Sequence, residues 1–388
     1  MYACRPCDAI EVESVAALLD HVADHGTLEN VVVQGLDLTD DTVEARLLDV
    51  SAEDAVFLGC RFTDALEGHI HQTGGTVFPA FEGLPFHPYR ASLYTPDELM
   101  RGYERGQSAS LEDIHDADIY RYYKQQQLDG GPDVPVMDAL AFRIHDHAID
   151  DALRDLLHPD GRPSRRVVGI MGGHRMARTA PAFTAIARIA HALTRNGFFV
   201  ATGGGPGAME AANLGAYLAG RDADTITAAV QMLSDAPQYD TDGYFERAYA
   251  VRERYGDGHE SLAVPTWFYG HEPSNLFATH VAKYFANSIR EDGLLAMAHY
   301  GVIYAPGSAG TIQEVFMDAA QNHYETFGPP SPMVFYDATY WTETKPVFPL
   351  LQALAADTPY AEELMITDDV SSVVDAITHH ASARSHTA

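Results

Sequence analysis

The chain has 388 residues, of which 46% are hydrophobic and 10% aromatic, enough for packed cores in two domains and too apolar for a disordered protein. Its 55 acidic residues against 25 lysines and arginines leave a formal charge of −30, which excludes a general nucleic-acid binder because such proteins need a basic footprint. Neither an apolar run of membrane-spanning length nor a basic-then-apolar leader occurs, so no membrane partner and a cytoplasmic location are expected.

Residues 1–137 read as a small α+β or β-rich domain of unassigned role. A helix-like stretch at Val15–Ala23 is followed by short apolar segments at Val31–Val33, Leu47–Leu48 and Ala55–Leu58, separated by Asp, Thr and Gly turns. The segments between residues 30 and 62 hint at stacked turns, without a fixed repeat period. Cys4 and Cys7 have metal-ligand spacing, but the chain holds only one further cysteine, Cys60, and a structural zinc site needs four ligands; no metal site is expected. The polar, Asp-rich stretch from Gln107 to Asp133, closing in Gly130-Gly131-Pro132-Asp133, reads as a connecting segment.

Residues 138–388 form the second domain. A helix over 138–157 leads into a regular alternation, with strands expected at Val167–Met171, Phe198–Thr202, Thr225–Gln231, Ser261–Phe268, Gly301–Ala305 and Met333–Tyr336. Helices are expected at Pro181–Arg195, Gly207–Ala219, Tyr244–Arg254, Asn275–Ile289 and Thr311–Tyr324. From Val347 the chain reads as helices ending in a polar tail, Ala381–Ala388, expected to be disordered at its end. Alternating strand and helix imply an α/β fold, a doubly wound parallel sheet covered on both faces, whose ligands sit beyond the carboxyl ends of the strands.

Two loops carry the chemistry. Phe198–Thr202 runs into Gly203-Gly204-Gly205-Pro206-Gly207 and a helix, and Gly301–Ala305 runs into Pro306-Gly307-Ser308-Ala309-Gly310-Thr311 and another helix. Small residues let backbone N–H groups approach a ligand, and the helix start adds partial positive charge, which together suit a phosphate group. Glu314 then falls one turn inside the second helix, where a carboxylate can stabilise a cationic transition state; the alternative is a first-turn acid that complements the dipole or closes a capping box with Thr311.

The segment Gly203–Asn213 resembles the GGGPGxMEAAN motif, and Pro306–Glu314 the PGGxGTxxE motif, of the LOG family, the phosphoribohydrolases typified by cytokinin activation. The resemblance covers about residues 165–340, with Ser308 standing where the family has glycine. It implies a Rossmann-like fold, a homodimer or larger homo-oligomer, and hydrolysis of the N-glycosidic bond of a nucleoside 5′-monophosphate, releasing base and ribose 5-phosphate. It also implies Glu314 and Arg290 as the catalytic pair, Arg290 lying one residue from the matching position of the family's RKxxM-like segment. The substrate-binding set comprises Gly172, Gly173 and His174 after the first strand, Gly203, Gly204, Gly205, Gly207 and Met209, and Pro306, Gly307, Ser308, Ala309, Gly310 and Thr311. Arg175 and Arg178 are the nearest counter-charges for a phosphate, while Trp267 and Tyr269 offer faces for a base and Asn275 is placed to cap a helix.

The alternative is a non-catalytic nucleotide-binding or sensing module on the same fold. No cofactor is expected. Lys283 is the only lysine of the matched region and sits at an expected helix-interior position, against a Schiff base to pyridoxal phosphate. The first glycine-rich loop follows the second strand, not the first, against a dinucleotide fingerprint.

Overall fold

The computed structural model describes residues 9–129, 134–159, 165–271 and 273–385. Cys4, Cys7, Gly130–Asp133 and the last three residues of the expected tail lie outside the described residues. The chain divides into two packed units, Met1–Leu93 with Gln125–Arg154, and Tyr94–Lys124 with Asp155–Ala388, so the division involves more than a single cut at residue 137.

The first unit carries β1 (Ile10–Val12), β2 (Val31–Gln34), β3 (Val56–Leu58) and β4 (Thr76–Phe78), all parallel and side by side in chain order. A helix follows each of the first three strands (Val15–His25, Asp41–Leu47, Asp64–Gln72), each started by a side-chain cap from Ser14, Asp40 or Thr63. Strand and helix alternate here as a parallel β–α coil, and Leu47–Leu48 closes a helix instead of forming a strand. A repeat does exist. Thr27 pairs with Ser51, Val33 with Phe57 and Asp37 with Arg61, each 24 positions on, and the turns match too: Asn30 and Asp54 both take positive φ, as do Gly35 and Gly59. Ile10 pairs with Val31 and Val56 with Thr76 at different offsets, so the period drifts and leaves little trace in the sequence. Leu18, Val31, Val33, Phe57 and Leu66 form the core.

In the second unit β5 (Arg166–Met171), β6 (Phe198–Thr202), β7 (Leu262–Ala263), β8 (His280–Val281), β9 (Val302–Tyr304), β10 (Met333–Tyr336) and β11 (Leu364–Thr367) make one parallel sheet in the order β11-β10-β9-β5-β6-β7-β8. The chain builds outward from β5 to β8, then returns to the other flank of β5 as β9. The reversal opens a crevice at the carboxyl ends of β5 and β9, where a doubly wound, Rossmann-like sheet takes its ligand.

The helix Pro181–Arg195 has the expected bounds: Pro181 starts it, and Phe183, Ile186, Ala187, Ala190 and Leu193 put an apolar stripe onto the sheet. It packs closely against the helix Ala208–Tyr217. A Cβ on Gly215 would lie 2.0 Å from the carbonyl oxygen of Ala187, a backbone atom that cannot rotate away. Gly215→Ala is therefore expected to cost about 3 kcal/mol, the upper range for overpacking. Urea denaturation measures this, and a loss below about 1 kcal/mol would mean that the helices part freely.

Several expected elements differ. Thr225–Gln231 belongs to a helix, Asp224–Leu233, with Ile226, Ala229, Val230 and Leu233 buried at helical spacing; the Thr-Ile-Thr run disguised it as a strand. Asn275–Ile289 is mostly irregular chain around β8, and the helix begins only at Asn287 and runs to Met297. Nearly every residue from Ser274 to Phe285 is buried, so no exposed face marks the period. Lys283 accordingly lies beside β8, not inside a helix.

Beyond Val347 the chain includes β11, which was not expected, and a last helix, Val370–Ser385, that takes in the start of the supposed tail. The supposed connecting segment holds a short 3₁₀ turn, Ser108–Glu112, and a helix, His115–Asp129. Ile114 and Ala117 enter the core of the second unit, and the buried Asp116 carboxylate accepts hydrogen bonds from Trp267 Nε1 and Lys283 Nζ, both at 2.8 Å.

Candidate active site at the carboxyl edge

Three loops leave the carboxyl ends of β5, β6 and β9 and interlock through their backbones. Ala305 N donates to Met171 O at 2.8 Å, Gly173 N to Pro306 O at 3.0 Å, and Ala208 N to Gly173 O at 3.2 Å. Such contacts admit no side chain at Gly207, whose φ is +70° and whose Cβ would sit 2.4 Å from Gly173 O. Gly307 is constrained from the other side, where a Cβ would meet Thr311 Oγ1 at 2.2 Å.

The glycine loop after β6 is pinned from beneath by a buried amide pair. Asn275 Nδ2 donates to Gly204 O (3.1 Å), Gly205 O (3.3 Å) and Asn213 Oδ1 (2.9 Å), while Thr202 Oγ1 donates to the same Asn213 oxygen and accepts from Gly204 N. Asn275 is thus no helix cap. Its Oδ1 closes a local turn to Phe277 N and Ala278 N, and its amide holds the loop. After β9, the Gly307 carbonyl accepts a hydrogen bond from the Tyr340 hydroxyl, and Trp341 Nε1 donates to Tyr304 O. Nothing in the motifs pointed to Tyr340, which lies in a single π-helical turn, Tyr340–Thr344.

At the mouth of these loops Arg290, from the helix Asn287–Met297, meets Glu314, from the helix Ala309–His323, with Nη1 to Oε1 at 3.9 Å. Gly203 lies alongside: a Cβ there would be 3.8 Å from Arg290 Nη1 and 2.8 Å from Met209 Sδ. Arg290 is aimed by neighbours. Its Nε and Nη2 donate to Asn287 Oδ1, and Nη2 also donates to Glu291 Oε1 at 3.0 Å. Glu291 in turn accepts from Gln313 Nε2 at 2.6 Å and from the Tyr269 hydroxyl at 3.5 Å, to which Asn287 Nδ2 donates.

Glu314 differs from the other buried acids. Asp116, Asp146, Glu210, Glu291 and Asp318 all accept hydrogen bonds, whereas the Glu314 side chain, 13% exposed, accepts none from the described residues. Neither the capping box nor a dipole contact holds it. Burial pushes its carboxyl up to about 7, against the pull of Arg290 and with a smaller push from Glu291. One turn on, burial also pushes Asp318 up to about 7, although the Tyr304 hydroxyl donates to it at 2.7 Å. Both groups bind a proton more tightly folded than unfolded, so the fold loses stability as pH rises from about 4 through about 7. Asp318→Asn is expected to narrow the difference in Tm between pH 5 and pH 8, measured calorimetrically; an unchanged difference would remove Asp318 as a source.

The remaining expected residues separate into two groups. Gly172, Gly173, Gly203, Gly204, Gly205, Gly207, Met209, Pro306, Gly307 and Thr311 all belong to the interlocked loops and helix starts, with Ser308, Ala309 and Gly310 exposed on their outer side. His174 and Arg175 are exposed at the end of the first loop, the His174 ring 6.3 Å from that of Tyr239. Arg178 is not available to a phosphate. It is buried, paired with both Glu210 oxygens at 2.5 and 2.9 Å, and lies on the Tyr244 ring. Trp267 is fully buried against Phe285 and cannot stack on a base, whereas Tyr269 is 67% exposed.

No family model matches the chain, and no curated protein matches it. Among solved structures it is similar to the molybdenum cofactor binding protein of the phototrophic bacterium Rippkaea orientalis, at 14% identity over 56% of this chain and 97% of that one, with a TM-score of 0.35. It is likewise similar to the Moco carrier protein of Chlamydomonas reinhardtii, at 14% identity over 57% of this chain and 99% of that one, with a TM-score of 0.36. Among the described residues no helix is long and apolar enough to cross a membrane.

Proposed function

We propose that the second unit binds a nucleoside 5′-monophosphate at this carboxyl edge and hydrolyses its N-glycosidic bond, giving free base and ribose 5-phosphate. The observation that carries the reading is Glu314: a part-buried carboxylate, 13% exposed, to which no described residue donates a hydrogen bond, facing one guanidinium at the mouth of three small-residue loops. A carboxylate left unsatisfied in a low-dielectric site is poised for positive charge that develops during reaction.

In the proposed reaction, backbone N–H groups of the loops after β6 and β9 hold the phosphate, fixing the ribose over Glu314. The C1′–N bond breaks with its electron pair leaving on the base, and the ribosyl cation is stabilised by the Glu314 carboxylate. A water oxygen then bonds to C1′; its proton passes to Glu314 and on to the departing base nitrogen. Arg290 keeps Glu314 oriented, and Tyr269 offers an exposed ring for the base.

The binding-only alternative draws on the Arg290 geometry: its hydrogen bonds go to Asn287 and Glu291, and Glu314 lies beyond hydrogen-bond reach. Incubating the protein with AMP, GMP, CMP, UMP and IMP, and reading base and ribose 5-phosphate by chromatography, decides between the two. Release of one base supports the hydrolase. A nucleotide that raises Tm without any release would replace it with a binding module.

The pH profile follows from Glu314. The carboxylate form is the active one, so kcat/KM is expected to fall as pH drops through about 7. A phosphate monoester titrates near pH 6, so an inflection nearer 7 assigns the limb to the enzyme. A flat profile across that range would remove Glu314 from the rate-limiting chemistry.

A further inference from the structure

At the opposite, amino edge of the same sheet lies a cavity of ≈ 590 Å³, within the usual range for a small-molecule site. Its walls are the ends of the helices Pro181–Arg195 and Ala208–Tyr217, the starts of β5 and β6, and the turn before β7. Arg165, Arg166, Arg221 and His259 line it, in a chain whose overall charge is strongly negative.

Two of these arginines are pre-oriented. The Arg165 guanidinium lies 4.5 Å from the centre of the Phe199 ring, and that of Arg166 lies 4.6 Å from the centre of the Phe198 ring. Stacking fixes a guanidinium plane and leaves its N–H edge free to bond. Few of those donors are used. Arg165 donates from Nε to Leu156 O and from Nη1 to Glu260, Arg166 from Nη2 to Asn196 O, and Arg221 from Nη2 to Tyr255 O. A guanidinium carries five N–H donors, so most of the set is unspent among the described residues.

Another polar group in the wall is unsatisfied: Thr194 Oγ1 is buried with no hydrogen-bond partner. Gly220 lies close beside His259, where a Cβ would sit 2.9 Å from the imidazole Nε2.

Two features oppose an anion, and both are partly neutralised. Helix C-termini carry partial negative charge, yet the Arg221 carbonyl accepts from His191 Nε2 and Arg195 Nη1, and the Thr194 carbonyl from Gly197 N. Of the two acids in the lining, Asp257 and Glu260, the latter is paired with Arg165 and His280. Three arginines against these two acids leave the wall net positive.

We propose that this cavity is a second ligand site, for a small multivalent oxyanion carrying phosphoryl or carboxylate groups, separate from the carboxyl-edge site. Planar N–H forks at its wall match such groups bidentately. Because the helices that end at the cavity begin near the carboxyl-edge loops, a bound anion is also placed to bias those loops.

Hydrogen–deuterium exchange on the full chain, with millimolar pyrophosphate or citrate at constant ionic strength, tests the site by location. Slower exchange at residues 194–199, 217–221 and 256–260 is expected, with the stronger of the two probes naming the oxyanion class. The double variant Arg166→Ala/Arg221→Ala should raise the Kd of that probe about tenfold or more, as charge-assisted hydrogen bonds are lost. Its exchange without ligand at β9 and β10 and in the carboxyl-edge loops 203–210 and 306–311 should match wild type, which reports that it is folded. Protection by both probes confined to those carboxyl-edge loops, no binding of either probe, or an unchanged Kd in a folded double variant would each overturn the proposal.

Discussion

Glu314→Gln is expected to lower kcat for base release by about 10³-fold while changing nucleotide affinity only a few-fold, the pattern of an interaction made in the transition state alone. Glutamine keeps the shape and removes the charge. Among the described residues none donates a hydrogen bond to Glu314, so the substitution breaks none there. Burial works against the charged form, so the variant should be no less stable than wild type above pH 7, where the native carboxyl is ionised. Activity and stability therefore move independently, which a structural role for Glu314 would not allow. The measurement is single-turnover base release with nucleotide binding followed in parallel. Retention of kcat within tenfold would take the carboxylate out of the chemistry, and loss of binding together with rate would make Glu314 a ligand contact instead.

Legibility in the sequence tracked how much each residue's own neighbours determined its conformation. The strand–loop–helix units at 198–217 and 302–323 were readable because a buried run, a glycine cluster and an amphipathic helix follow one another within twenty-odd residues. The pairing of Arg290 with Glu314 is read from motif resemblance alone; in the fold Asn287 and Glu291 steer the guanidinium, which stands 3.9 Å from the Glu314 carboxylate. Where tertiary burial overrode local pattern, the reading failed. The irregular chain from Ser274 to Phe285 is buried on nearly all sides, so it carried neither period. Helix 115–129 looked like a linker because the partners of Asp116, Trp267 and Lys283, lie over 150 residues away in sequence. Tyr340 and Asn275, which hold the two loops, show the same limit: Tyr340 acts through one hydrogen bond across the fold to a backbone carbonyl and Asn275 through bonds to two, and no spacing rule announces them.

Arg178 and Glu210 supply the largest expected loss of stability and give the acidic residue of the Gly203–Asn213 motif a buried partner. Arg178 is only 1% exposed and makes a two-pronged pair with Glu210, also 1% exposed; its Nη1 donates to the carbonyls of Ala236 and Tyr244, and the Tyr244 hydroxyl donates to Glu210. Removing one partner strands the other charge in a desolvated site, so Arg178→Met alone or Glu210→Leu alone is expected to cost about 3–5 kcal/mol in urea denaturation. Replacing both with apolar residues removes the stranded charge, and Arg178→Met/Glu210→Leu should recover most of that loss, although the two freed carbonyls and the Tyr244 hydroxyl keep it below wild type. The cycle separates structure from chemistry. If Glu210 only braces the helix start after the glycine loop, base release per folded molecule in the double variant should stay within about tenfold of wild type. Single variants that cost under about 1 kcal/mol would show the pair to be solvated in solution. A stable double variant that binds nucleotide but releases no base would move Glu210 from the scaffold into the reaction beside Glu314.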